Sequence, residues 1–307
     1  MQNKIKEKYI KITNSNNNLL IFNKPWWLDL QTINWDVIEI DYDYENSILI
    51  PIFKKKKFFF EYSVLPSLVH KISPIFLGKK EFIEFNFLDK FFLKIKTFLY
   101  YSITFTENLN LNDKNKKNNF IVKSTKSYFV DKKDKEYHNK FDADVRRLIK
   151  KSKNLKLSFK TINNVEFFIN TFNENLNELN KKNYFSNIQI KEIYKKLIEK
   201  RSGKIFGVFD KNNELHSSAL VAWDKKDVYL IFLTSNNKLK KFGGSCYLIE
   251  RLIKFSQKMN KNFDFEGGAD KSIGTFYKKF TNNIKQLTQI EFYKYIYLKK
   301  IINLFKY

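Results

Sequence analysis

Three apolar segments, "GKIFGVFD", "LHSSALVAW" and "VYLIFLTS", follow one another between residues 203 and 235, with only the polar turns "KNNE" and "DKKD" between them. Turns this short make a meander of neighbouring strands. Before it come the basic helix "FDADVRRLIKKSK", the strand "LKLSFKTI" and two helices with apolar residues three and four apart, "NVEFFINTFNENLNELNKK" and "NIQIKEIYKKLIEKR". After it come the loop "NNKLKKFGGS", the helix "CYLIERLIKFSQKM", the strand "NFDFEG", the short helix "DKSIGTFYKKF" and the strand "IKQLTQIEFYKY". The first half reads as mixed α and β. "NKPWWLDLQTI" is a short helix with Pro25 in its first turn, "WDVIEIDYD" and "NSILIPIFKK" form a hairpin, and "KEFIEFNFLDKFFLKI" has helical spacing. "YYSITF", "NNFIVKS" and "SYFV" are short strands. The run "DKKDKEYHNK" (131–140) is a solvated charge run, read as a linker. A chain of 307 residues is long enough for two domains, and the boundary is placed between residues 134 and 135.

Composition narrows the chemistry. One cysteine, Cys246, excludes an internal disulfide and a cysteine-based metal site, and His70, His138 and His216 are too scattered for a zinc motif. No metal is expected, and a reducing, cytoplasmic compartment fits. The formal charge of +25 invites a polyanion partner, but only Arg146, Arg147, Arg201 and Arg251 are arginines. The excess is lysine, accompanied by Asn, Ile, Phe and Tyr, as A- and T-rich codons dictate, so genome bias accounts for much of it. The opening "MQNKIKEKYIKITNSNNN" lacks the apolar stretch of a secretory signal. No window approaches the ~20 apolar residues of a membrane helix. The basic, amphipathic "FYKYIYLKKIINLFKY" reads as a final helix packed on its own domain, with peripheral membrane contact as the alternative.

Two junctions carry candidate chemistry. In the first, Lys238, Lys240 and Lys241 precede Gly243, Gly244 and a helix starting at about Ser245. Glycines that leave amides uncovered, a helix N-terminus and nearby lysines would together suit a phosphate group. A flexible turn with a serine cap explains the same residues. In the second, "FDFEGG", the alternation sets Phe263 and Phe265 on one side and Asp264 and Glu266 on the other. Two acids there need partners if buried. One could pair with a lysine of the 238–241 loop while the other opens into a cleft with a raised pKa and accepts a proton from an amine. An ion pair fixing two loops is the plainer reading. Cys246, at a helix start, is expected to have a somewhat lowered pKa.

Taken together, "FDADVRRLIKKSKNLKLSF", "HSSALVAWDKKDVYLIFLTSNNKLKKFGGSCYLIERLIKFSQKM" and "NFDFEGGADKSIGTFYKKF" resemble the Fem-like branch of the GNAT acyltransferase superfamily. The likeness covers residues 137–292. It is looser in the first half, through "PWWLDL", "WDVIEI" and "ILIPIFKKK". It implies an α+β fold of two GNAT-like halves, each a mixed, mostly antiparallel sheet flanked by helices: a degenerate half over 1–134 and an acyltransferase half over 135–307. It also implies that the central strands splay apart to hold an acyl donor. Leu233, Thr234 and Ser235 would border that gap, and Lys240, Lys241, Phe242, Gly243, Gly244 and Ser245 would meet the donor's phosphates. Glu266 would be the base, and Tyr277 a proton donor or a wall of the acceptor site. Backbone amides would face the oxyanion. Arg146, Arg147, Asp264 and Lys278 would line the acceptor side.

Fem ligases that use aminoacyl-tRNA commonly carry a Phe-Lys pair in the last short helix. Here the positions read Phe276-Tyr277, with Lys278 one place on. The expectation is therefore an N-acyltransferase using acyl-CoA and an amine of a small molecule or a glycan or cell-envelope precursor. An aminoacyl-tRNA-dependent ligase of such precursors and a non-catalytic binding protein are the alternatives.

Overall fold

The computed structural model describes residues 2–16, 18–31, 33–43, 45–57, 59–78, 87–106, 119–267, 271–295, 297 and 299. The chain forms two compact units: Met1–Thr125 with Gln286–Tyr307, and Lys126–Lys285. The expected division at 134/135 thus differs from the structure at both ends. The chain leaves the first unit inside one continuous strand, Phe120–Val130, where two short strands were expected, and the last strand returns to the first unit. The charge run 131–140 is no linker. It contains a 3-10 turn at Tyr137–Lys140, and Tyr137 is buried in the second unit's core.

The first unit opens with helix α1 (Gln2–Ser15), which the charged sequence did not disclose. Its apolar stripe is thin, but Tyr9 and Thr13, one turn apart, are fully buried. The Tyr9 hydroxyl donates to the Asn23 carbonyl (2.7 Å). Helix α2 (Pro25–Asp29) starts at Pro25, as expected, and Trp27 Nε1 donates to the Leu68 carbonyl (2.9 Å). Strands β1 (Trp35–Asp41) and β2 (Ser47–Phe53) form the expected antiparallel hairpin, extended by β5 (Ile75–Leu77). A second sheet runs β3 (Lys55–Lys57), β4 (Phe60–Val64), β6 (Tyr100–Phe105), β13 (Ile284–Tyr293), then the first half of β7 (Phe120–Val130). Helix α3 (Phe87–Ile95) packs Phe91 against Tyr101, Phe105 and Phe120. The start of the helix expected from "KEFIEF" lies outside the described residues, as does most of the expected C-terminal helix.

In the second unit the order is the second half of β7, β12 (Asn262–Asp264), β11 (Asp227–Ser235), β10 (Leu215–Trp223), β9 (Gly203–Phe209) and β8 (Ser158–Ile162). The meander β9–β10–β11 is antiparallel, as its turns dictate. Helix α7 (Gly244–Lys258) is the crossover that makes β12 parallel to β11. Helices α4 (Ala143–Asn154), α5 (Val165–Glu178), α6 (Asn187–Glu199) and α8 (Lys271–Lys278) complete the unit. Asp142, Asn164 and Ser186 cap α4, α5 and α6 through their side-chain oxygens.

Burial pushes the phenols of Tyr9, Tyr101, Tyr137, Tyr229 and Tyr277 well above the ordinary tyrosine range, and Tyr100 up to about 12. An unfolded phenol ionises near pH 10. Below that, both states keep the proton and stability is unaffected. Above it, the unfolded chain loses protons that the folded chain retains, so stability falls. Each such phenol is expected to cost about 1.4 kcal/mol per pH unit above about 10. Urea midpoints measured between about pH 9 and 11, with tyrosinate absorbance as the probe, should drop together.

Candidate active site

The parallel pairing of β11 with β12 spans only Asp227–Tyr229 and Asn262–Asp264. Beyond Tyr229, β11 continues to Ser235 with β10 on one side and, among the described residues, no strand on the other. Six residues of strand span roughly 20 Å, so a long open edge begins where β12 stops.

Inside that stretch Leu220 pairs with Phe232 and Val221 with Leu230, which leaves Ile231 as an extra residue. This bulge reverses which side chains face which layer. Leu230 and Leu233 join the core under α7, whereas Phe232 packs on Phe168 and Phe172 of α5. Thr234 Oγ1 likewise donates to the Thr171 carbonyl (3.3 Å). Of the residues expected at the gap, Leu233 and Ser235 are half-buried, and Thr234 is buried.

At the end of β12 the period-two alternation read from "FDFEGG" fails. Phe265 N donates to the Tyr128 carbonyl (3.1 Å), and Tyr128 N donates to the Gly267 carbonyl (3.2 Å). Glu266 is therefore a bulged residue opposite β7, in the left-handed region at φ +49°. Lys156, Asn180, Arg201 and Asn260, also at positive φ, each simply follow a helix. What holds Glu266 there is Asp264, whose Oδ1 accepts from Glu266 N (2.9 Å) and from Ser127 Oγ (2.7 Å). An aspartate that closes a turn on the backbone two residues on stabilises such a conformation. Asp264 thus sits beneath Glu266 at 2% exposure, turned to the protein and not to an acceptor. The expected lysine partner from the 238–241 loop is replaced by Ser127 and the Glu266 amide.

Glu266 is itself 7% exposed. Its charge is felt by Tyr277, whose phenol is driven up first by burial and then by that carboxylate. Tyr277 lies against Phe265 (ring centroids 4.7 Å apart) and over Gly267, where an added Cβ would stand 2.9 Å from its ring. A neutral phenol beside a carboxylate can donate a proton and cannot act as a base at physiological pH. Lys278, on the same helix, is exposed.

The other junction, following β11, is a 3-10 turn (Asn237–Phe242) leading into α7. Gly243, at φ +80°, is the N-cap. Both glycines are buried, contrary to the expectation of an uncovered cradle. A Cβ on Gly243 would meet the Leu148 carbonyl oxygen at 2.5 Å, and one on Gly244 would meet His216 Cβ at 2.5 Å. The glycines are there to let α4 and β10 approach. Ser245 Oγ donates to Ser217 Oγ (3.1 Å). Cations gather on this turn instead. Lys151 from α4 and Lys241 each stand 5.2 Å from the centre of the Phe242 ring. Lys240 and Lys241 are exposed, and among the described residues neither makes an ion pair.

Arg146 donates to the Phe141 carbonyl and Arg147 pairs with Asp144 (3.3 Å), so both serve α4 itself. Cys246 is buried, and its thiol is pushed up to about 11 by that burial, the reverse of the lowering expected at a helix start. The sequence reading did not foresee a cavity of about 290 Å³ bordered by Glu174, Glu178, Glu214, Thr234, Ser235 and Lys238. It lies at the Ser235 end of β11, away from the Glu266 bulge.

No protein-family model matches the chain. No curated protein matches it either. Solved structures do. FemX superposes with a TM-score of 0.64 at 10% identity, covering 97% of this chain and 98% of that one. The C-terminal domain of an Agrobacterium fabrum protein assigned as a lysylphosphatidylglycerol synthetase gives 0.58 at 10% identity, over 95% and 92%. L-PGS from Bacillus licheniformis gives 0.54 at 12% identity, over 90% and 93%. The chain therefore shares its fold with FemX and these synthetase domains, an α+β architecture in two units.

Proposed function

We propose that the chain is a transferase that moves an aminoacyl group from aminoacyl-tRNA to an amine, with Glu266 as base and Tyr277 as proton donor. The observation that carries this reading is the unpaired edge of β11, which starts beside the bulge that presents Glu266. Parallel neighbouring strands end at the same edge of a sheet, which is where such sheets hold their ligands. An extended donor along β11 would set its reactive carbonyl near Glu266 and its anionic body about 20 Å on, at Lys151, Lys240 and Lys241.

The chemistry follows from the groups. Glu266 takes a proton from the attacking amine, a C–N bond forms at the donor carbonyl, and the ester C–O bond to the ribose breaks. The departing ribose oxygen takes the proton of the Tyr277 phenol. Backbone amides of β11 near the Ile231 bulge would face the oxyanion.

Two observations favour this donor over acyl-CoA, the one expected from the sequence. The solved structures that superpose along nearly the whole chain are FemX and the lysylphosphatidylglycerol synthetase type, whose name is that of a lysine joined to a lipid. And Gly243 and Gly244, which a compact diphosphate would need open, are filled by Leu148 and His216, whereas the lysines beside them are spread over a surface suited to a larger polyanion.

Fluorescence anisotropy with total aminoacylated tRNA is expected to give binding whose logarithm falls linearly with log salt. Lys151→Ala and Lys241→Ala should each lower the slope by about 0.7 to 0.9, and millimolar CoA should leave the melting curve in place. Thermal protection by CoA without tRNA binding would restore the acyl-CoA reading.

A further inference from the structure

We propose that the β3–β4 hairpin is a docking surface for an anionic lipid bilayer. The register pairs Lys57 with Phe60, so Phe59 lies in the turn at the tip of the hairpin. Phe59 at that tip is 100% exposed and Phe60 beside it 53% exposed. Behind the tip run Lys55, Lys56 and Lys57 of β3, of which Lys56 and Lys57 are exposed, with Glu61 as the carboxylate of the facing strand; Lys54 before them is engaged with Asp36 (2.7 Å). The Glu61 carboxylate pairs with Lys56 (3.2 Å), and both partners stay largely in water.

The lysines alone have a plain explanation, since among the described residues β3 pairs only with β4 and a charged edge strand resists joining other sheets. That explanation does not reach the phenylalanines. An aromatic ring held in water forgoes the stabilisation of burial, and a fully exposed ring next to a half-exposed one in a turn marks a contact surface. The order along the hairpin selects the partner. Rings at the tip would enter the boundary of the acyl chains while lysines one or two residues behind remain at the phosphate level. A single-stranded nucleic acid stacks on rings laid alongside cations in a groove, and here the rings lie beyond the cations. Nothing in this inference depends on the transfer reaction, and its test does not read activity.

The test is co-sedimentation of the full chain with vesicles of equal parts phosphatidylglycerol and phosphatidylcholine, against phosphatidylcholine alone. Binding is expected only to the mixed vesicles. Phe59→Ser with Phe60→Ser should weaken it at least about tenfold, and Lys56→Gln and Lys57→Gln about fivefold each. These side chains are exposed, so thermal melting should not change. A Phe59→Trp protein should gain emission that is blue-shifted by the mixed vesicles and quenched by brominated acyl chains. The proposal is overturned if the chain ignores the mixed vesicles, or if the double serine variant binds them undiminished. It is equally overturned if that variant loses tRNA and keeps the vesicles.

Discussion

Glu266→Gln is expected to lower the rate of transfer by about 10²- to 10⁴-fold, the usual contribution of a positioned general base. The amide keeps the shape of the side chain and leaves the Asp264 bond to the backbone N–H in place. The melting temperature should therefore move by no more than about a degree or two. Tyr277→Phe removes the other proton carrier while preserving the contact with Phe265. Because the two act in one step, the double variant should be scarcely slower than the worse single one. Single-turnover assays with preformed donor separate this loss from weaker binding. Wild-type rates in Glu266→Gln would remove the carboxylate from the reaction.

Gly243→Ala should be the most damaging single methyl group in the second unit. At φ +80° any side chain costs about 1–2 kcal/mol. The added Cβ would also sit 2.5 Å from the Leu148 carbonyl oxygen, a backbone atom that cannot rotate away. Overpacking of that kind costs about 1–3 kcal/mol. A total near 3 kcal/mol corresponds to a fall in melting temperature of about 6–12 °C for a unit of this size. Gly244→Ala meets the side chain of His216 and has no positive φ, so it should cost less. Thermal melts of the two variants should rank them in that order. Equal curves for wild type and Gly243→Ala would mean that α4 and α7 separate easily.

The second unit was legible in the sequence wherever period and punctuation agreed. The meander and the helices α4 to α7 follow from short polar turns and three-four spacing. Reading failed where a contact distant in sequence decides. Two buried side chains, Tyr9 and Thr13, are too few for a periodic signal, so α1 looked like a polar tail. The linker was misplaced because Tyr137 is a lone aromatic in a charged run, and only the tertiary core shows that it is inside. At the candidate site Glu266 was visible as an oddity next to two glycines. Its direction was not, because the left-handed turn depends on Ser127 and Tyr128 from β7, far away in the chain. Nor could the sequence tell that Gly243 and Gly244 face protein and not ligand. A glycine pair before a helix looks the same in both cases.

The path of the chain through β7 and β13 sets an order of assembly. All residues of the second unit, Lys126–Lys285, leave the ribosome before the segment Gln286–Tyr307 that the first unit needs. The half synthesised first is therefore the half completed last. Until β13 arrives, β6 lacks the neighbour that covers one of its edges, and that edge stays bare. Any pause in translation after residue 285 would leave a folded second unit tethered to an unfinished first.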